Sequence, residues 1–133
     1  MRFVYTLVLN LQGIEKIGSK QCVALVQKFT PGVGNTSLWK EGEPVLGNKD
    51  IVPGTAIATF INGRYPSAPH GNHAAYFVAQ GVDGFFVMDQ WADDEAKPFV
   101  SKHFISTKGK KKQSNGWWPE GGRNAYAYSV IER

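Results

Sequence analysis

The stretch Ser19-Lys-Gln21-Cys22-Val-Ala-Leu-Val-Gln-Lys-Phe29, followed by Thr30-Pro31-Gly32, decides the architecture. Ser19 is a residue type that caps helices and Pro31-Gly32 stops one, so the spacing predicts a helix over Cys22–Phe29. Val23, Val26 and one of Leu25 or Phe29 would then share a core-facing side. One more short helical turn is expected over Thr36–Gly42. Beyond it the pattern becomes β. Thr55–Ile61 follows a Pro53-Gly54 turn and reads as a strand, and the glycines and prolines between Phe60 and Gly71 read as a loop. His73–Val78 and Phe85–Asp89 flank Gly81-Val-Asp-Gly84 and predict a hairpin. Val100–Ile105 and Ala125–Ile131 complete the strands. One helix followed by strands with short connections predicts an α+β fold, the cysteine-bearing helix packed on an antiparallel sheet.

Outward from this centre, 133 residues suffice for one domain, expected over 1–133, that buries about two-thirds of its unfolded surface. With 42% apolar and 20% charged residues, disorder is not expected. The start, Met1-Arg-Phe-Val-Tyr-Thr-Leu-Val-Leu-Asn-Leu11, has a run of about nine mostly apolar residues, the length of a signal-peptide core. No small-x-small cleavage site follows, so it is read as part of the domain. No segment approaches the ~20 apolar residues of a membrane span.

The net charge of +4 is moderate. Part of it lies in Lys108-Gly-Lys110-Lys111-Lys112, which reads as a solvated loop tip or as an attractor of anionic polymers. No aromatic stripe or nucleic-acid motif accompanies the run, so nucleic acid is not an expected partner. A single cysteine excludes an intramolecular disulfide and argues against a cysteine-based structural metal site. His70-Gly-Asn-His73 has no obvious third ligand, and no cofactor is expected.

Cys22 admits two readings. Free cysteines are often buried as small hydrophobes, and position alone favours that. As a nucleophile, however, Cys22 would gain from the first turn of a helix, where free N–H groups and the aligned dipole favour a thiolate and can hold an oxyanion. His73, opening a strand after Gly71-Asn72, is the candidate base, while His103 reads as a surface residue. Asp89 is the candidate orienter of the imidazole. A hairpin loop centred on Gly81 places Asp89 directly across from His73, whereas a tight Asp83-Gly84 turn does not.

These segments carry a resemblance. Gly18-Ser-Lys-Gln21-Cys22-Val-Ala-Leu-Val is similar to the nucleophile segment of CHAP domains, the cysteine, histidine-dependent amidohydrolases and peptidases. Pro53-Gly54-Thr-Ala-Ile-Ala-Thr-Phe60 resembles the strand that precedes the histidine in CHAP and NlpC-type enzymes, and Asn72-His73-Ala-Ala-Tyr-Phe-Val78 their histidine strand. Asp83-Gly84-Phe-Phe-Val-Met-Asp89-Gln90-Trp91 parallels the strand ending in the family's acid. The resemblance covers positions 18 to 91. Asp89 stands where glutamate is more usual, and Trp91 where asparagine is common.

Within that superfamily the chain resembles the amidase effectors of type VI secretion. The resemblance implies a papain-like fold in which Cys22 attacks an amide, His73 shuttles the proton and Asp89 holds the imidazole. Gln21 and the Cys22 N–H would form the oxyanion hole. Trp91, Trp117 and Trp118 would be core or groove walls, with substrate-binding the functional reading. It further implies peptidoglycan peptides as substrate, an immunity protein as partner, and synthesis in the cytoplasm with export by a specialised machine to a target periplasm. Two other functions fit the residues: deamidation or acyl transfer on a protein glutamine, and a catalytically silent wall- or glycan-binding module.

Overall fold

A computed structural model describes residues 2–133. One α-helix, α1 (Cys22–Phe29), packs on a sheet of six strands: β1 (Lys40–Pro44), β2 (Ala56–Thr59), β3 (Ala74–Gly81), β4 (Gly84–Asp89), β5 (Ser101–Ser106) and β6 (Tyr128–Glu132). Their order is β1-β6-β2-β3-β4-β5, and every neighbouring pair is antiparallel. The fold is therefore the α+β arrangement expected, with the cysteine at the first position of the helix.

The helix lies against β3 and buries Leu25 and Val26, with Val23 and Phe29 half-buried beside them. Full burial of side chains of this kind contributes about 1.5–3 kcal/mol each. The far end of α1 is tied to the sheet by the Tyr76 hydroxyl, which donates to the Val26 carbonyl at 3.0 Å, while Thr30 Oγ1 donates to the same carbonyl at 2.6 Å. Tyr76 thus points to the helix side of β3, away from the face that carries His73.

Both faces of the sheet are covered. On the helix side Trp39, Phe60, Met88 and Ile131 join the core; on the other, Ile57, Phe77, Phe85, Val130 and Tyr128 pack under Val45, Ile51 and Ala125. All four residues of β2 are buried, which explains why Ala56-Ile-Ala-Thr59 lacks the alternation of a one-sided strand. The N-terminal segment joins the helix-side core through Val8 and Leu11. It is fastened at Gly54, whose carbonyl accepts from Tyr5 N at 2.9 Å and whose φ is +93°. A Cβ there would sit 2.1 Å from the Tyr5 carbonyl oxygen, so only glycine fits.

Two local readings need correction. Ser19 is not the helix cap: Gln21 occupies that position without a side-chain cap bond, and Ser19 Oγ instead accepts from Gln21 N at 3.3 Å. In Thr36–Gly42 the helical turn ends at Leu38 and β1 begins at Lys40, because this segment pairs with β6, a partner remote in sequence.

Candidate active site

Cys22, His73 and Asp89 come together at the N-terminal end of α1. Gln90, the residue after β4, builds the connection. Its side chain is buried; Nε2 donates to the carbonyls of Ile17 at 3.1 Å and Gln21 at 2.8 Å, and Oε1 accepts from Ile17 N at 2.8 Å. One amide therefore clamps the loop that leads into the helix onto the strand that ends in Asp89. Lys16 adds a second clamp, donating to the carbonyls of Trp91 and Asp94.

His73 Nε2 meets Asp89 Oδ2 at 2.6 Å, with both side chains buried. That bond leaves Nδ1 as the ring nitrogen for Cys22. The hairpin takes neither the Gly81-centred loop nor the Asp83-Gly84 turn. The loop is the two-residue Val82-Asp83 turn, Gly81 pairs with Gly84, and a bulge between Phe77 and Ala79 shifts the register so that Tyr76 pairs with Met88. By that register Asp89 stands opposite Ala75, and His73 lies two residues on along the same face. The carboxylate reaches the ring diagonally rather than directly across.

The electrostatics follow from this geometry. Burial opposes charge on His73, but Asp89 beside it, with Cys22 on its other side, raises its pKa from an ordinary 6.5 to about 10. Burial likewise opposes the Cys22 thiolate, and is overcome by the hydrogen bond and charge of His73, the Ala74 amide and the Tyr65 hydroxyl, so the thiol's pKa is lowered. Asp89, also penalised by burial, is held below the ordinary carboxylate range mainly by the charge of His73. All three shifts act in one direction, favouring a thiolate–imidazolium pair backed by a carboxylate.

Burial also pushes the Tyr128 hydroxyl pKa well up, with the charge of Asp89 adding to it. Tyr128 donates to the Gly122 carbonyl at 2.7 Å. Gly122 itself presses on the site: a Cβ there would lie 2.9 Å from His73 Cβ.

His103, read from sequence as a surface residue, is part of this cluster. Its Nδ1 lies 3.1 Å from Asp89 Oδ1, an ion-pair distance without hydrogen-bond alignment. The signal was hidden because β5 is joined to β4 by a long irregular connection that does not reveal register. Trp91 covers the cluster, stacked on His73 at 5.0 Å between centroids and 14° between planes, and tilted against His103 at 4.6 Å. Lys97 Nζ sits 5.0 Å over the indole.

The cluster opens into a cleft of about 1040 Å³ lined by Gln21, Cys22, His73, Trp91 and His103, with Asp93, Asp94 and Glu120 set against Lys97, Lys108 and Arg123. Trp117 and Trp118 do not line it. Trp117 packs against Gly71, while Trp118 stacks on Tyr126 at 5.8 Å under the Lys112 ammonium. Among the described residues no group of three or more His, Cys, Asp or Glu side chains could hold a metal ion.

Chemically the arrangement can generate a thiolate, offer helix-terminal N–H groups to a developing oxyanion and return a proton to a leaving group.

A family model described as domesticated amidase effector 2 matches residues 8–118. The type VI secretion amidase effector 2 protein of Salmonella typhi is 47% identical over 134 residues, covering 99% of this chain and all of that one. Domesticated amidase effector 2 of Ixodes scapularis is 38% identical over 107 residues, or 78% of this chain and 69% of that one. A solved structure of type 6 secretion amidase effector 2 (Tae2) matches with a TM-score of 0.92 at 47% identity, across 98% of this chain and 94% of the other.

Proposed function

The chain belongs to the amidase effector 2 family, and from that premise we propose that it is a cysteine amidase that hydrolyses peptide amide bonds of peptidoglycan as an antibacterial effector. The observation that carries this reading is the buried His73–Asp89 contact at 2.6 Å behind a cysteine at the start of a helix.

In the proposed reaction the Cys22 thiolate attacks the amide carbonyl carbon. The oxygen takes the displaced electron pair, facing the Cys22 N–H with Gln21 beside it at the cleft wall. His73 gives its proton to the amide nitrogen as the C–N bond breaks, leaving an acyl-enzyme thioester. Water, deprotonated by His73, attacks the thioester and frees Cys22. Asp89 holds the ring in one tautomer throughout and keeps the imidazolium charged.

The same reading places the protein outside its producing cell at work, delivered through type VI secretion to a target periplasm after synthesis in the cytoplasm. No described helix is long and apolar enough to cross a membrane. An open cleft leading to a reactive thiolate also fits control by an immunity protein that fills it in the producing cell.

The test is incubation of purified protein with peptidoglycan sacculi and mass spectrometry of the released fragments. The expected result is one water added per cleaved amide, and loss of that activity in Cys22→Ala with an unchanged circular dichroism spectrum. A fully active alanine variant would remove Cys22 as nucleophile. Binding without turnover would favour a silent wall-binding module.

A further inference from the structure

We propose that Tyr65 is a second oxyanion donor and therefore a further catalytic residue of this site, held in a donating orientation by Asn72. The inference rests on the cysteine-amidase reading above and adds a residue that the Cys–His–Asp pattern does not contain.

Tyr65 follows a two-residue turn at Asn62-Gly63, closed by backbone bonds of 2.8 and 3.0 Å between Ile61 and Arg64. Its ring is buried and meets Trp39 edge-on at 5.1 Å. Trp39 is fixed in turn by its indole N–H, which donates to the Val33 carbonyl at 3.0 Å. The phenol is thus positioned by packing, with its oxygen 3.9 Å from Cys22 Sγ.

A phenol oxygen has one proton and two lone pairs. Asn72 Nδ2 donates to that oxygen at 2.9 Å, which occupies an acceptor site. Among the described residues the other polar atom bonded to the hydroxyl is the sulfur of Cys22. With Asn72 fixing the acceptor side, the proton points at the nucleophile. Burial, reinforced by the negative charge of Cys22, raises the phenol's pKa, so Tyr65 stays a donor rather than a base.

As the Sγ–C bond forms, the amide π pair moves to the carbonyl oxygen and negative charge leaves sulfur for oxygen. The Tyr65 proton follows that charge as a hydrogen bond, from the thiolate to the oxyanion, and joins the Cys22 N–H there. When the tetrahedral intermediate collapses, the C–N bond breaks and His73 protonates the departing nitrogen. Tyr65 keeps its own proton throughout.

Two variants test this. Tyr65→Phe removes only the hydroxyl; kcat on peptidoglycan peptides should fall about 10²–10³-fold with KM little changed. The pH profile of iodoacetamide alkylation at Cys22 should move to higher pH, since the thiolate loses a donor. Asn72→Asp reverses the polarity, because a carboxylate accepts the Tyr65 O–H hydrogen bond and turns it away from the sulfur. It should impair kcat comparably, and the double variant should be no worse than the more impaired single one. Alkylation needs no substrate, so the two proposals fail separately. A wild-type protein without turnover overturns the amidase reading, and the oxyanion role with it. An active wild type with Tyr65→Phe unchanged in kcat and alkylation profile overturns Tyr65 alone.

Discussion

His73 Nε2 and Asp89 Oδ2 lie 2.6 Å apart across a hairpin in which the two residues are not paired partners. A bulge in β3 provides that offset. It lets a carboxylate at the end of β4 meet a ring that sits just ahead of β3, at the mouth of the cleft. The same offset leaves the other carboxylate oxygen to His103, so one buried acid faces two imidazoles.

Replacing Asp89 with asparagine keeps a polar contact to the ring and removes the charge. Turnover should fall about 10⁴-fold, the size of the loss when a triad aspartate becomes asparagine and no longer sets the tautomer and stabilises the imidazolium. His73 would lose the charge that raises its pKa, so the alkaline limb of kcat/KM should move to lower pH. An unchanged profile from pH-dependent kinetics would exclude Asp89 from this role.

In the wild type the productive form needs Cys22 ionised and His73 protonated. The plateau of kcat/KM should therefore begin at the lowered Cys22 value and end at about 10, where His73 deprotonates. Stability has matching limits. The Asp89 contribution is present above pH 3.8 and lost as pH falls through its lower folded value. The His73 contribution is full below 6.5 and lost as pH rises toward about 10. Cys22, lowered from 9.0, adds stability above that pH and offsets part of the alkaline loss. Urea titrations across pH, compared with Cys22→Ala, would show a steeper alkaline decline in the variant.

Gln90→Ala would break three hydrogen bonds to the loop before α1 and leave Ile17 and Gln21 groups unpaired. Destabilisation of about 2–4 kcal/mol is expected, at roughly 1 kcal/mol per bond. Activity should drop further than the loss of folded protein explains, since the clamp also registers Cys22 against Asp89. Thermal denaturation and single-turnover rates on the same sample separate the two effects.

Gly122→Ala would place a methyl 2.9 Å from His73 Cβ. The ring, held by Asp89 and Trp91, has little room to yield, and a displacement of about 1 Å from productive geometry can cost 10²-fold in rate. The expected outcome is a large fall in kcat with a modest change in Tm. Wild-type kcat in a folded variant would mean that this approach does not position the ring.

The helix, the existence of the hairpin and the order of cysteine, histidine and acid were legible because each rests on local chemistry: Pro31-Gly32, the glycines at 81 and 84, and short apolar runs. The rest depends on pairings between distant segments. β1 could not be read, because Lys40–Pro44 is exposed and polar and becomes a strand only by lying beside β6. His103 and Tyr65 reach the site through irregular connections that carry no periodicity. Trp117 and Trp118 looked suited to a groove, but Trp117 supports Gly71 and Trp118 a neighbouring tyrosine.

β2 is flanked by β3, the next strand in the chain, and by β6, the last of the six. During synthesis, the histidine hairpin can find β2 early, but the other edge of that wholly buried strand stays open until every other strand has been made. The long-range pairing that closes it is of the kind that slows folding and leaves an edge free to pair wrongly. A nascent chain would therefore hold the pieces of its active site before it holds a finished sheet. Helpers that shield the edge of β2 would have most effect in that interval.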